Sequence, residues 1–127
     1  MLSSTFVRAV DMAVGEHLED TRKGSGVPYL AHVFGVCSLV LEADGSEAQA
    51  IAALLHDVPE DKGGRPRLEE IRGRFGDAVA AIVEACSDSL VEDGRAKEAW
   101  WPRKQRYLAD LGMHRPEALL VSLADKV

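Results

Sequence analysis

A chain of 127 residues, 46% hydrophobic and 28% charged, is long enough to bury a core without disulfide staples, and one domain spanning 1–127 accounts for its length. Its formal net charge of −6 leaves no basic excess to displace counterions from a polyanion, which argues against nucleic acid as the main partner. No apolar stretch could span a bilayer and Met1 to Thr5 lack the start of a signal peptide, so no membrane partner is expected and the chain reads as cytoplasmic.

From Phe6 the apolar residues Phe6, Val10, Ala13, Val14 and Leu18 recur at three- and four-residue steps, the period of an amphipathic helix. Ser3, Ser4 or Thr5 can cap it. Asp11, Glu16, Glu19 and Asp20 read as solvated, and His17 as a surface or partly buried residue. Two glycines and Pro28 make Thr21–Tyr29 a loop. Its adjacent cations, Arg22 and Lys23, either complement the dipole at the end of the first helix or contact a phosphate or base.

A second helix is expected from Leu30 to Ala43, with Val33, Val36, Cys37, Val40 and Leu41 apolar. His32 opens it, and a lone histidine on an apolar helix reads by itself as structural. Cys37 and Cys86 sit in apolar patterns without metal-ligand spacing and read as reduced core residues.

Ser46 followed by Gln49 has the form of a capping box and starts a third helix carrying Ile51, Leu54 and Leu55. Alanines at 48, 50, 52 and 53 let neighbouring helices come close, which suits the centre of a bundle. The helix runs into His56-Asp57-Val58-Pro59-Glu60-Asp61. If the chain stays near-helical there, His56 shares a face with Glu60 and Asp57 with Asp61. That arrangement fits either a metal-binding edge with acids one turn away or a helix ending in solvated charges. Pro59 lacks the N–H that would bond the carbonyl of Leu55, so the helix should end or loosen near it.

Lys62–Arg67 reads as a basic loop, Leu68–Phe75 as a short helix closed by Gly76, and Asp77 as the cap of a helix to Cys86 with Val79, Ile82 and Val83 on one face. Ser87–Ala99 is polar and acidic, a loop or weak helix. Order resumes at Trp100-Trp101-Pro102, followed by a helix from Arg103 to Leu111 with Arg103, Lys104 and Arg106 on its cationic side. Pro116 then opens a last helix with Leu119, Leu120 and Leu123 apolar, ending in Asp125 and Lys126. No strand-like alternation is sustained, so the fold class is all-α, a bundle of about six or seven helices. The apolar pattern is interrupted at Val127, and further C-terminal helices are expected beyond it.

Two histidines and two aspartates form a mixed donor set that suits manganese or iron(II) better than closed tetrahedral zinc. His32, His56, Asp57 and Asp125 can supply it, with Glu60 and Asp61 placed to orient a water and take its proton. Spacing alone does not bring these residues together.

In their order along the chain, His32, the doublet His56-Asp57 and a distant Asp125 resemble the H…HD…D signature of the HD-domain metal-dependent phosphohydrolases. The stretches Arg22-Lys23-Gly24-x-Gly26-x-Pro28-Tyr29-x-x-His32, His56-Asp57-x-x-Glu60-Asp61 and Leu123-Ala124-Asp125-Lys126 are similar to the hydrolase domain of the RelA/SpoT alarmone enzymes and their small, Mesh1-like relatives. The resemblance implies an HD-type helical bundle and metal ligation by His32, His56, Asp57 and Asp125, usually of Mn2+. It further implies that Glu60 and Asp61 act on the attacking water and leaving group, and that Arg22 and Lys23 lie beside the base and phosphates of a nucleotide. The implied reaction removes the 3′-pyrophosphate from guanosine tetra- or pentaphosphate. A phosphohydrolase for another nucleotide or phosphoester and a non-catalytic nucleotide-sensing module are the alternatives. Val33 replaces the family's usual proline, Pro59 stands inside the HDxxED element, and the family's asparagine one turn beyond the ligand aspartate would fall after Val127.

Overall fold

The computed structural model describes residues 2–87 and 116–126. The expected loop from Ser87 (beyond Ser87 itself), the tryptophan pair, the basic helix with Arg103, Lys104 and Arg106, and the turn before Pro116 lie outside the described residues. Among these residues there are seven helices: α1 (Ser4–His17), α2 (Tyr29–Glu42), α3 (Glu47–Leu55), α4 (Val58–Asp61), α5 (Arg65–Phe75), α6 (Asp77–Cys86) and α7 (Pro116–Lys126). The one strand-like feature among the described residues is an isolated antiparallel bridge between Thr21 and Pro28, so the all-α expectation is met. No described helix is long and apolar enough to cross a membrane.

The helix boundaries follow local chemistry. Ser3 caps α1, its hydroxyl accepting from the Thr5 amide. At α3 the capping box forms in both directions: Ser46 Oγ accepts from the Gln49 amide at 3.1 Å, and Gln49 Oε1 accepts from the Ser46 amide at 2.8 Å. The same Gln49 donates through Nε2 to the Glu117 carbonyl, which ties the start of α3 to α7. Between α1 and α2 the loop is pinned by Arg22 N to Val27 O and Tyr29 N to Asp20 O, with Gly24 and Gly26 at φ values of 82° and 74° that favour glycine.

α3 is the central helix, packed against α1, α2, α6 and α7. Ala50, Ala52, Ala53 and Leu55 are wholly buried, so the small side chains do let four neighbours approach. α2 buries Val33, Val36, Cys37 and Val40, and α6 buries Val79, Ile82 and Val83. Both cysteines are free thiols.

Five local expectations need correction. His17 is only 1% exposed, because its ring is packed against Tyr29 and its Nδ1 is bonded to Asp20. Leu18, in contrast, points outward at 67% exposure. Arg65-Pro66-Arg67 is the first turn of α5 rather than loop, since proline needs no donor in a first turn, and Gly76 rather than Asp77 holds the cap position of α6. Finally, α7 turns inward through Ala118, Val121 and Ser122, leaving Leu119 and Leu123 exposed at 42% and 56%. Small inward side chains bring α7 close to α2, α3 and α6, and Asp125 continues that face one turn on.

The turn from α2 into α3 is similarly tight. A Cβ on Gly45 would stand 2.6 Å from Val40 Cγ1 and 2.9 Å from the Val40 carbonyl oxygen, a backbone atom that cannot rotate away. Gly45→Ala should therefore lower stability by about 1–3 kcal/mol, the usual effect of overpacking. A lower urea midpoint with an unchanged slope would show it, and an unchanged midpoint would refute it.

Candidate metal centre

The centre lies where α2, the α3–α4 break and α7 meet. α3 ends at Leu55, and α4 restarts at Val58 with Pro59 in its first turn, where a missing N–H costs nothing. Proline therefore separates two helices without distorting either, and the amide of Asp61 still bonds the carbonyl of Asp57 at 2.9 Å. The expected break at Pro59 is present, and His56-Asp57 occupies the corner it creates.

His56 is 4% exposed, with Nδ1 2.8 Å from the Ala53 carbonyl. That carbonyl can only accept, so Nδ1 carries the proton and Nε2 is turned into the site. There Nε2 lies 3.2 Å from Asp57 Oδ1 and 3.2 Å from Asp125 Oδ1. His32, from the first turn of α2, places its Nε2 2.8 Å from the same Asp125 oxygen, across 93 positions of sequence. One nitrogen each from His32 and His56 and one oxygen from Asp57 fall within 4.8 Å of one another. Asp125 lies outside that trio but meets both imidazoles through Oδ1, so the four residues singled out as ligands are neighbours.

The electrostatics are those of a cation site. Burial disfavours a charged His56, but the carboxylates of Asp125 and Asp57 and the Ala53 carbonyl outweigh it and raise the imidazole to about 9. Burial would also raise the Asp125 carboxyl, yet His56, His32 and Lys126 hold it well below the usual carboxylate range. At neutral pH a proton on His56 Nε2 consequently sits where a lone pair would face an ion. Two imidazoles and two carboxylates, both oxygen-bearing and nitrogen-bearing, fit a divalent transition metal once that proton leaves.

Of the remaining residues singled out, Asp61 is exposed and lines a cleft of about 380 Å3 with His17, Glu19, Asp20, Thr21 and Tyr29. Glu60 is half-buried on the same short helix. Arg22 and Lys23 are exposed on the loop beside Thr21. Lys62 closes one flank, its Nζ 2.9 Å from Asp20 Oδ2.

Sequence reasoning passed over Tyr29 and His17. The Tyr29 hydroxyl donates to Asp57 Oδ2, and its ring stands 5.5 Å from that of His32 and 5.1 Å from that of His17. Burial and the charges of Asp57, Asp61 and Asp125 push its phenol far above the ordinary value, so it stays a donor. Its spacing, three residues before His32 on one helix, was the available signal.

Comparison with known proteins points to one family. The profile described as HD domain matches residues 9–127. A guanosine-3′,5′-bis(diphosphate) 3′-pyrophosphohydrolase of Aquifex aeolicus is 32% identical over 120 residues, 94% of this chain and 16% of the relative. A probable enzyme of the same name from Synechocystis is 40% identical over 77 residues, 61% of this chain and 10% of the relative. A GTP pyrophosphokinase of Streptomyces coelicolor is 33% identical over 121 residues, 94% of this chain and 14% of the relative. The chain therefore spans between 10% and 16% of the length of these curated relatives. Among solved structures, a metazoan orthologue of SpoT that hydrolyses ppGpp superposes with a TM-score of 0.79 at 29% identity, over 99% of this chain and 68% of that one.

The raised value of His56 sets a pH dependence with a definite sign. The unfolded imidazole titrates near its model value of 6.5 and the folded one at about 9, so the protonated ring stabilises the metal-free protein fully below 6.5 and progressively less up to 9. A divalent ion must displace that proton, so its affinity should rise about tenfold per pH unit across the same window. Between these limits melting should fall with pH in the metal-free protein and stay nearly level in the manganese-saturated one, so that the gap between the two widens. Parallel trends would mean that the ion does not compete for His56.

Proposed function

The chain belongs to the HD-domain family, and from that premise we propose that it is a metal-dependent phosphohydrolase that removes the 3′-pyrophosphate of guanosine 3′,5′-bis(diphosphate). The observation that carries the reading is the meeting of His32, His56, Asp57 and Asp125 beside a cleft lined by Asp61. Relatives whose names specify this pyrophosphohydrolase support the choice of substrate.

In this reading His32, His56, Asp57 and Asp125 hold the ion, with Mn2+ the preferred occupant of so mixed a donor set and Fe2+ the next. When bound, it supplies Lewis acidity that polarises a phosphoryl oxygen and makes water a nucleophile at neutral pH. Everything else is done by the chain. Ala53 O fixes the His56 tautomer, so that the ring presents Nε2 without rotating. Glu60 and Asp61 divide the proton work: one, entering as the carboxylate, accepts a proton from the water as its oxygen bonds to phosphorus, and the other, entering as the neutral acid, gives its proton to the ribose 3′ oxygen as the bond from that oxygen to phosphorus breaks; a proton passed from the first to the second restores both. Arg22 and Lys23 hold the phosphates and base, Arg through its planar fork and Lys as a point charge.

Purified protein loaded with manganese should release pyrophosphate from the tetraphosphate, and Asp57→Ala should abolish the release together with metal uptake. Glu60→Gln and Asp61→Asn should each lower kcat by about 10²–10⁴-fold with metal content unchanged. A loaded protein that turns over no nucleotide in a panel would overturn the reading, whereas turnover of a different nucleotide would move only the substrate.

Arg22 and Lys23 make a separate prediction. Replacing either by alanine should raise KM several-fold at low ionic strength and less at high salt, because exposed charges are screened. A change confined to kcat would place them elsewhere in the mechanism.

A further inference from the structure

We propose that Tyr29 is a positioning residue for Asp57, holding one carboxylate oxygen so that the other is presented to the two imidazoles. The proposal rests on the metal reading above and goes beyond its ligand set.

The two oxygens of Asp57 have divided between two partners. Oδ2 accepts from the Tyr29 hydroxyl, while Oδ1 lies 3.2 Å from His56 Nε2. A carboxylate free at both oxygens can rotate about its last bond and can meet an ion through either oxygen. Fixing Oδ2 removes that freedom and leaves Oδ1 as the one that faces the centre. An aspartate at a corner between two short helices has need of such a clamp, because the ladder of α3 has already ended at Leu55.

Tyr29 is itself held, which a clamp requires. Its amide donates to the Asp20 carbonyl at 2.9 Å, and the neighbouring bridge from Thr21 to Pro28 closes the loop behind it. Its ring packs against those of His17 and His32, with centroids 5.1 Å and 5.5 Å away. His17 is anchored in turn by Asp20, and Asp20 by Lys62. The chain of contacts thus runs from Lys62 through Asp20, His17 and Tyr29 to Asp57. Tyr29 also lines the cleft with Asp61, so what a bound molecule meets there is the ring, the hydroxyl being already engaged.

The test is manganese affinity, measured by competition with a chelating dye in the parent protein and in Tyr29→Phe, which keeps the ring and removes the clamp. Loss of an orienting partner of a metal ligand should weaken binding about 10–100-fold. A purely structural tyrosine would lower the melting temperature yet leave the affinity, measured well below melting, unchanged. Equal affinity in the two proteins overturns the proposal and spares the metal reading. A parent that takes up no manganese overturns both. Should Tyr29→Phe fail to fold, the parent provides a second measurement. The chain has two tyrosines, and a Tyr107→Phe variant identifies the Tyr29 resonance in protein labelled at the tyrosine ζ carbon. Loading with diamagnetic zinc should draw charge from Asp57 and shift that resonance, and binding without a shift would overturn the clamp.

Discussion

One oxygen of Asp125, between the imidazoles of His32 and His56, joins three parts of the chain that share no local reason to meet. It brings the end of α7 to the start of α2 and to the corner after α3. Each partner is partly or wholly withdrawn from water, so the contact is electrostatically strong while it is satisfied and costly when it is not. In the metal-free protein a proton on His56 provides the positive charge that Asp57 and Asp125 require. In the proposed metal reading a divalent ion takes that proton's place. The fold and the chemistry therefore depend on the same balance of charge, which is why His56 tolerates almost complete burial beside two carboxylates.

Much of this was legible from residues. Ser46 and Gln49 announce their helix, because a capping box is a local hydrogen-bonding arrangement that needs no tertiary partner. The alanines of α3 announce a crowded centre, and Pro59 announces a break. The four residues proposed as ligands could be listed in order, yet their meeting could not be read from spacing, since it depends on how α7 lies across α2 and α3. The resemblance to the HD-domain family supplied that step.

What was misread was misread for identifiable reasons. In α7 Leu120 does pack against the core, but Leu119 and Leu123 drew attention to the wrong face, because periodicity weighs large apolar side chains above small ones. Close approach in this bundle relies on Ala118, Val121 and Ser122, which leave room for Asp125. His17 reads as a surface or partly buried residue because its role depends on a distant ring as well as on a nearby acid. Its partners are Asp20, three residues on, and Tyr29, reached only when the loop folds back. A histidine's task is visible only when its two nitrogens and two ring faces are accounted for together.

The carbonyl of Ala53 has a consequence of another kind. It belongs to the last turn of α3, where carbonyls lose their intrahelical donors as the helix ends, and the His56 ring takes up the vacancy. The control of the His56 tautomer is therefore written in the path of the backbone, and no side chain carries it. Residue 53 can drift among small side chains while the acceptor stays in place, so inheritance of this determinant would leave no trace in the identity of the residue that provides it. Scanning side chains one by one would miss it too. An ester in place of the amide between residues 53 and 54 would weaken the acceptor while leaving every side chain in the centre intact.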